Sequence, residues 1–231
     1  LLLILLCLPM IGFGQNVNIP DYNFKAYLVG DTAINTNGDS EIQVIEATAF
    51  GGEILLSYAN IADLTGIQAF TALTELTCVG DQLTSLDLSN NTALTFLSIS
   101  DNQLTSLDLS NNTALTFLYI GLYPLNSLDL SNNTDLTSLS INVANQLTSL
   151  DLSNNTALTF LSMYEANQIT SIDLSNNTAL TRIWIGDPMG GMAGQSVPLV
   201  SLDVSNNPAL TRLSCVDCNL TSLDVSNNIA L

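Results

Sequence analysis

A block of about 21 residues recurs in tandem from residue 73 to the end of the chain, and nothing else restricts the fold so tightly. LTFLSISDNQLTSLDLSNNTA (94–114) returns as LTFLYIGLYPLNSLDLSNNTD (115–135), LTSLSINVANQLTSLDLSNNTA (136–157) and LTFLSMYEANQITSIDLSNNTA (158–179). LTELTCVGDQLTSLDLSNNTA (73–93) precedes them, and LTRLSCVDCNLTSLDVSNNIA (210–230) follows a longer copy at 180–209 that carries GDPMGGMAGQSVP (186–198). In an extended Leu-x-Leu segment alternate side chains share one side, so Leu97 with Ile99, and Leu107 with Leu109, face inward. Leu94 and Leu104 turn the corners. Asn112 falls where the backbone bends, and an amide there can satisfy peptide groups that the turn leaves unpaired. Its equivalents are Asn91, Asn133, Asn155, Asn177, Asn207 and Asn228. One coil buries too few apolar side chains to offset the entropy of ordering it, so the coils must stack, at about 4.8 Å, and share a core.

The unit fits L-x-x-L-x-L-x-x-N/C-x-L, and over residues 52–231 the chain resembles the leucine-rich-repeat family. The pattern occurs twice in each unit, as LTFLSISDNQL and LTSLDLSNNTA, which is similar to a class of bacterial repeats with two nested halves. The expected fold is a leucine-rich-repeat solenoid of about eight coils, mostly parallel β with short turns and an N-terminal α-helical cap. ILLSYANIADLTGIQAFTA (54–72) reads as a divergent first coil of the internalin-like type. IPDYNFKAYLVGD (19–31) reads as an amphipathic helix with Asp21 as N-cap and Phe24, Tyr27 and Leu28 on one face. Internalin-like proteins carry a helical cap, and the resemblance implies that role for residues 15–51.

Residues 1–14, LLLILLCLPMIGFG, form an apolar run too short to span a bilayer and ending in small residues, as in a secretory signal peptide. Leu231 begins one more unit, so the C-terminal end is expected to be truncated. The chain has no His, which removes the usual general base and the commonest metal ligand, and an enzyme is not expected. Net charge is -18, with Lys25, Arg182 and Arg212 the only cations, so nucleic acid and anionic membrane surfaces are repelled. Hydrophobic residues at 47% oppose disorder and favour a folded, acidic, extracellular protein.

Two polar features invite chemistry. NTNGDSEIQVIE (35–46) has EF-hand-like spacing, with calcium donors at Asn35, Asn37, Asp39, the Glu41 backbone and Glu46. It departs from that pattern in Asn at the first position and Ser40 at the sixth, and the alternative is a solvated Asn-Gly turn. Asp87, Asp108, Asp129, Asp151, Asp173, Asp203 and Asp224 lie between inward residues and form an outward acid column that invites cations, Ser donors or screening by salt.

The variable half carries the candidate ligand face. Phe96, Phe117, Phe160, Arg182 and Arg212 point outward, with Tyr119 and Trp184 beside them and Tyr123 and Tyr164 near the strand end. Aromatics with Arg make binding hot spots; the alternative is cross-strand packing that stiffens the sheet. Cys78 and Cys215 replace inward Leu or Ile, Cys218 stands at a ladder position, and Cys-x-x-Cys here lacks the strand-to-helix context of a redox motif. The expected function is a secreted or cell-surface recognition or adhesion module, a monomer without membrane insertion; the resemblance implies protein partners, and a polysaccharide also suits an aromatic-lined sheet. The rival is a structural or ice-interacting array, suggested by the column Thr95, Thr116, Thr137, Thr159 and Thr181.

Overall fold

The computed structural model describes residues 14–121, 124–142, 146–166, 168–186 and 197–231. Residues 1–13 of the expected signal peptide (1–14), Tyr123 and most of the 186–198 insertion lie outside the described residues. Each coil contributes one strand to an eight-stranded parallel sheet in sequence order: β1 (Glu53–Ser57), β2 (Glu75–Val79), β3 (Phe96–Ser100), β4 (Phe117–Gly121), β5 (Ser138–Asn142), β6 (Phe160–Tyr164), β7 (Arg182–Ile185) and β8 (Arg212–Cys215). Register follows the repeat: Phe96 pairs with Phe117, Leu97 with Leu118, Ile99 with Ile120. The longer copy keeps it too, since Arg182 pairs with Arg212. The solenoid is therefore fixed by the repeat length, with extra residues accommodated outside the ladder.

Apolar side chains from both halves of the coils before the last fill one continuous core. Leu97, Ile99, Leu107 and Leu109 are all buried, as are their equivalents Leu118, Ile120, Leu128 and Leu130. The Asn column reaches further than a local turn. Asn112 Nδ2 donates to the Leu88 and Asn91 carbonyls of the preceding coil, at 3.1 and 2.9 Å, and Asn133, Asn155 and Asn177 repeat the pattern. Each amide thus ties one coil to its neighbour in place of satisfying its own bend. The Thr column does the same on another edge: Thr116 Oγ1 donates to the Thr95 carbonyl at 3.1 Å, and the same bond links Thr137, Thr159, Thr181 and Thr211 to the Thr before each.

The corner that ends the strand is left-handed in several coils, at Tyr58, Gly80, Asp101, Glu165 and Asp217. Four of those five are not glycine, so the coil geometry imposes the conformation against a cost of about 1–2 kcal/mol per residue. At Gly186 the need is steric as well: φ is 88°, and a Cβ there would lie 1.6 Å from the Val216 carbonyl oxygen of the next coil.

The N-terminal end of the sheet is covered by α1 (Tyr22–Gly30). Asp21 caps it, its Oδ1 accepting from the Asn23 and Phe24 amides, while Oδ2 accepts from Ala62 and Asp63 in the first coil. Phe24 and Leu28 enter the common core, and the Tyr27 hydroxyl accepts from the Leu55 amide of β1. A second helix, α2 (Val44–Ala49), begins inside the segment that the sequence reading left as loop.

Candidate functional site

The outward positions of the eight strands form two principal columns on one sheet face. The first runs Glu53, Glu75, Phe96, Phe117, Ser138, Phe160, Arg182, Arg212, and the second Leu55, Thr77, Ser98, Tyr119, Ser140, Ser162, Trp184, Ser214. The aromatics are half-buried and both arginines exposed. They do not form a continuous wall. Phe96 and Phe117 stack at 4.3 Å between centroids with 5° between planes. Phe160 meets Trp184 edge-on at 5.2 Å, and the Arg182 guanidinium lies 5.3 Å over the Phe160 ring. Between the two clusters β5 presents Ser138 and Ser140, which leaves a low polar step about 10 Å wide. Tyr119 leans toward that step and its hydroxyl accepts from Asn142 Nδ2 at 3.1 Å. Tyr164, half-buried, follows Asn142 in register at the strand end.

Cross-strand packing and exposure coexist here. Each ring covers its neighbour, yet enough surface stays open for a partner to add to the stack. The sequence analysis assigns no residue of the first coil to this face, although β1 is its first strand. Glu53-Ile-Leu-Leu-Ser repeats the spacing of Glu75-Leu-Thr-Cys-Val, and the signal was obscured because the first coil departs from the consensus elsewhere.

On the opposite half of the coil, the acid column is outward and exposed from Asp87 to Asp224. Every one of these carboxylates accepts from the amide of the Ser two residues on, as Asp108 does from Ser110 and Asp129 from Ser131, both at 2.9 Å. The Ser110 backbone and hydroxyl hold Asp108 below the usual carboxylate range, against weaker repulsion from Asp129 and Asp87. Local Ser donors therefore answer the repulsion. The recesses between these turns, lined by residues such as Asp108, Ser110, Asp129 and Ser131, enclose ≈ 40 Å³ or less. That is smaller than the about 300–1,000 Å³ of a small-molecule site.

The 35–46 loop spends its oxygens on its own backbone. Glu46 Oε1 accepts from the Thr36 amide and hydroxyl and the Asn37 amide, and Oε2 from the Gln43 amide at the start of α2. Burial pushes the Glu46 carboxyl up, and the bonds from Gln43, Thr36 and Asn37 together bring it below its ordinary value. Asn35 Oδ1 accepts from Gly38, Asp39 Oδ1 accepts from the Glu41 amide, Asn37 bonds Asp39 and Gln43, and the Glu41 side chain pairs with Lys25 at 2.6 Å. An EF-hand turns left-handed at its sixth position; here Gly38, the fourth, carries φ 71° and Ser40 does not. The residues as arranged do not fit calcium. Among the described residues no group of three or more His, Cys, Asp or Glu side chains is placed to hold a metal.

Cys78 is buried in the core, and burial pushes its thiol up. Cys215 and Cys218 are half-buried in the last coil, where Cys218 Sγ donates to the Val216 carbonyl at 3.8 Å, and their proximity lowers Cys215 and raises Cys218. Spacing alone did not reveal that contact, because it depends on the tight turn through left-handed Asp217.

No protein-family model and no curated protein matches this sequence. Solved structures do. The functional domain of InlJ from Listeria monocytogenes is 30% identical, with 94% of this chain and 50% of that one covered and a TM-score of 0.66. Internalin InlF of the same organism is 22% identical, covering 96% and 71%, with a TM-score of 0.66. Internalin C2, also from Listeria monocytogenes, is 19% identical and covers 94% of each chain at a TM-score of 0.72. The last two likenesses show the fold alone, and the chain spans half the length of the InlJ domain. That domain is described as including a cysteine ladder; the buried column here is asparagine. The chain has the leucine-rich-repeat solenoid fold of the internalins.

Proposed function

We propose that this solenoid is a secreted or cell-surface recognition module that binds a partner protein through the outward face of its parallel sheet. The observation that carries the reading is the Phe160, Trp184 and Arg182 cluster beside Arg212. Rings packed edge-on and a guanidinium held over one of them are pre-ordered, so little side-chain entropy is lost when a partner covers them. The fold's likeness to internalins supports an interaction or adhesion role. The shallow recesses elsewhere support a surface contact over a small-molecule cleft.

The test is binding of the purified chain to host-protein and glycan arrays, repeated with Phe160→Ala and Trp184→Ala together. The expected result is capture of a protein partner with a Kd raised at least tenfold in the double variant, and unchanged circular dichroism. Partner binding indifferent to both substitutions overturns the assignment of this face, and capture of glycans alone overturns the protein partner. The ice-interacting alternative draws less support, because the Thr hydroxyls of its column already donate to backbone carbonyls.

A further inference from the structure

The chain has 21 acidic and 3 basic residues, and the placement of the three is uneven. Lys25 is paired with Glu41 at 2.6 Å. Arg182 and Arg212 stand directly opposite each other on β7 and β8, both exposed, and neither has an ion pair among the described residues. Like charges opposed on neighbouring strands are destabilising. With so many carboxylates available, an acid on either adjacent outward position would relieve the repulsion, yet the neighbours are Phe160, Trp184 and Ser214. Among the described residues no acid relieves the pair.

The same column ends in the opposite sign. Glu53 and Glu75 face each other on β1 and β2, also exposed. The column therefore reads acid, acid, Phe, Phe, Ser, Phe, base, base. Five strand steps separate Glu75 from Arg182, about 24 Å at the ordinary strand spacing.

Resting on the recognition face proposed above, we infer that the partner presents a dipolar polypeptide segment along this column. A side-chain carboxylate of the segment sits between Arg182 and Arg212, apolar side chains lie on the Phe160 and Phe117 rings, and a Lys or Arg meets Glu75 and Glu53. Arg182 and Arg212 hold paired positions on neighbouring strands, and a guanidinium from either matches a carboxylate in bidentate geometry. A polyanionic glycan fits poorly, because its further charges would meet Glu75 and Glu53 and the field of a chain at -18. A neutral glycan leaves the arginine pair uncompensated. An extended segment covers the span with about seven residues at about 3.3 Å each.

Trp184, the only tryptophan in the sequence, lies within the site and reports on it directly. The experiment selects a random 15-residue peptide library on the full chain, then titrates the enriched peptides against Trp184 emission. Polygalacturonate and a neutral-ended version of the best peptide run in parallel. The expected peptides carry Asp or Glu about seven residues from Lys or Arg, and their Kd rises at least tenfold in Arg182→Gln with Arg212→Gln. Both residues are exposed, so the double variant is expected to keep its circular dichroism and melting temperature. Equal binding of the neutral-ended peptide, tighter binding of polygalacturonate, indifference to the double variant, or no enrichment each overturns the inference. Equal binding of the neutral-ended peptide that is still lost in Phe160→Ala with Trp184→Ala would sink the charge clamp and leave the recognition face standing.

Discussion

In the coil at 94–114 the two halves start from nearly the same Leu pattern and solve different problems. The first half, β3, has its backbone groups satisfied by β2 and β4, so its outward side chains carry no hydrogen-bonding task for the fold. The second half, Leu107–Ser110, lies outside any strand, and its outward Asp108 is occupied by Ser110 while Asn112 reaches back to Leu88 and Asn91. From copy to copy the second half therefore repeats Asp, Ser and Asn, and the first half runs through Glu, Phe, Ser and Arg at one register position. Where side chains hold the backbone together they recur; where the ladder does so they are released to vary. That is why the variable half, and not the acid column, is the candidate binding surface.

The comparison breaks first in the core, where the halves are predicted to be equivalent. Leu139→Ala in β5 and Leu130→Ala in the second half each remove a fully enclosed side chain, and each is expected to cost about 2–5 kcal/mol by urea unfolding. A second-half deletion that cost nothing would mean that this half merely decorates the sheet. Next in size is Asn133→Ala, which removes two buried hydrogen bonds, to the Leu109 and Asn112 carbonyls, and should cost about 1–3 kcal/mol. An outward first-half change such as Ser138→Ala should leave stability within about 0.5 kcal/mol. If Ser138→Ala proved as damaging as Asn133→Ala, the division of labour would be wrong.

The smallest effect is the second half's share of the pH dependence. Hydrogen bonds from Ser hold the column carboxyls below their ordinary value, from Asp87 through Asp224. A group whose pKa is depressed on folding stabilises the fold above its unfolded value, about 3.9, and that contribution is lost as pH falls through the folded value. Melting temperature should therefore drop on acidification below about pH 4, and Asp129→Asn with Asp151→Asn should flatten part of the drop. A curve unchanged by the double variant would remove these turns from the account.

Much of the architecture was legible because the period does the work of a distance constraint. A 21-residue offset makes Phe96 the neighbour of Phe117, and Leu-x-Leu alternation sends Leu97 inward and Phe96 outward. What escaped depends on contacts between coils or on competition within a loop. The Asn112 amide has no visible reason in sequence to choose carbonyls 21 and 24 residues back. Glu46 matches the spacing of a cation ligand, but four protein donors reach it, one of them the Gln43 amide at the start of α2. The serine step at β5 was present in the letters Ser138 and Ser140, yet only the register shows that it divides the aromatic face in two.

Hydroxyl-radical footprinting of the partner-bound chain addresses the binding surface most directly. Protection is expected at Phe117, Phe160 and Trp184, with unchanged reactivity at Val200, an exposed apolar residue outside the strands. Protection of that second-half position with Phe160 and Trp184 still reactive would contradict the account.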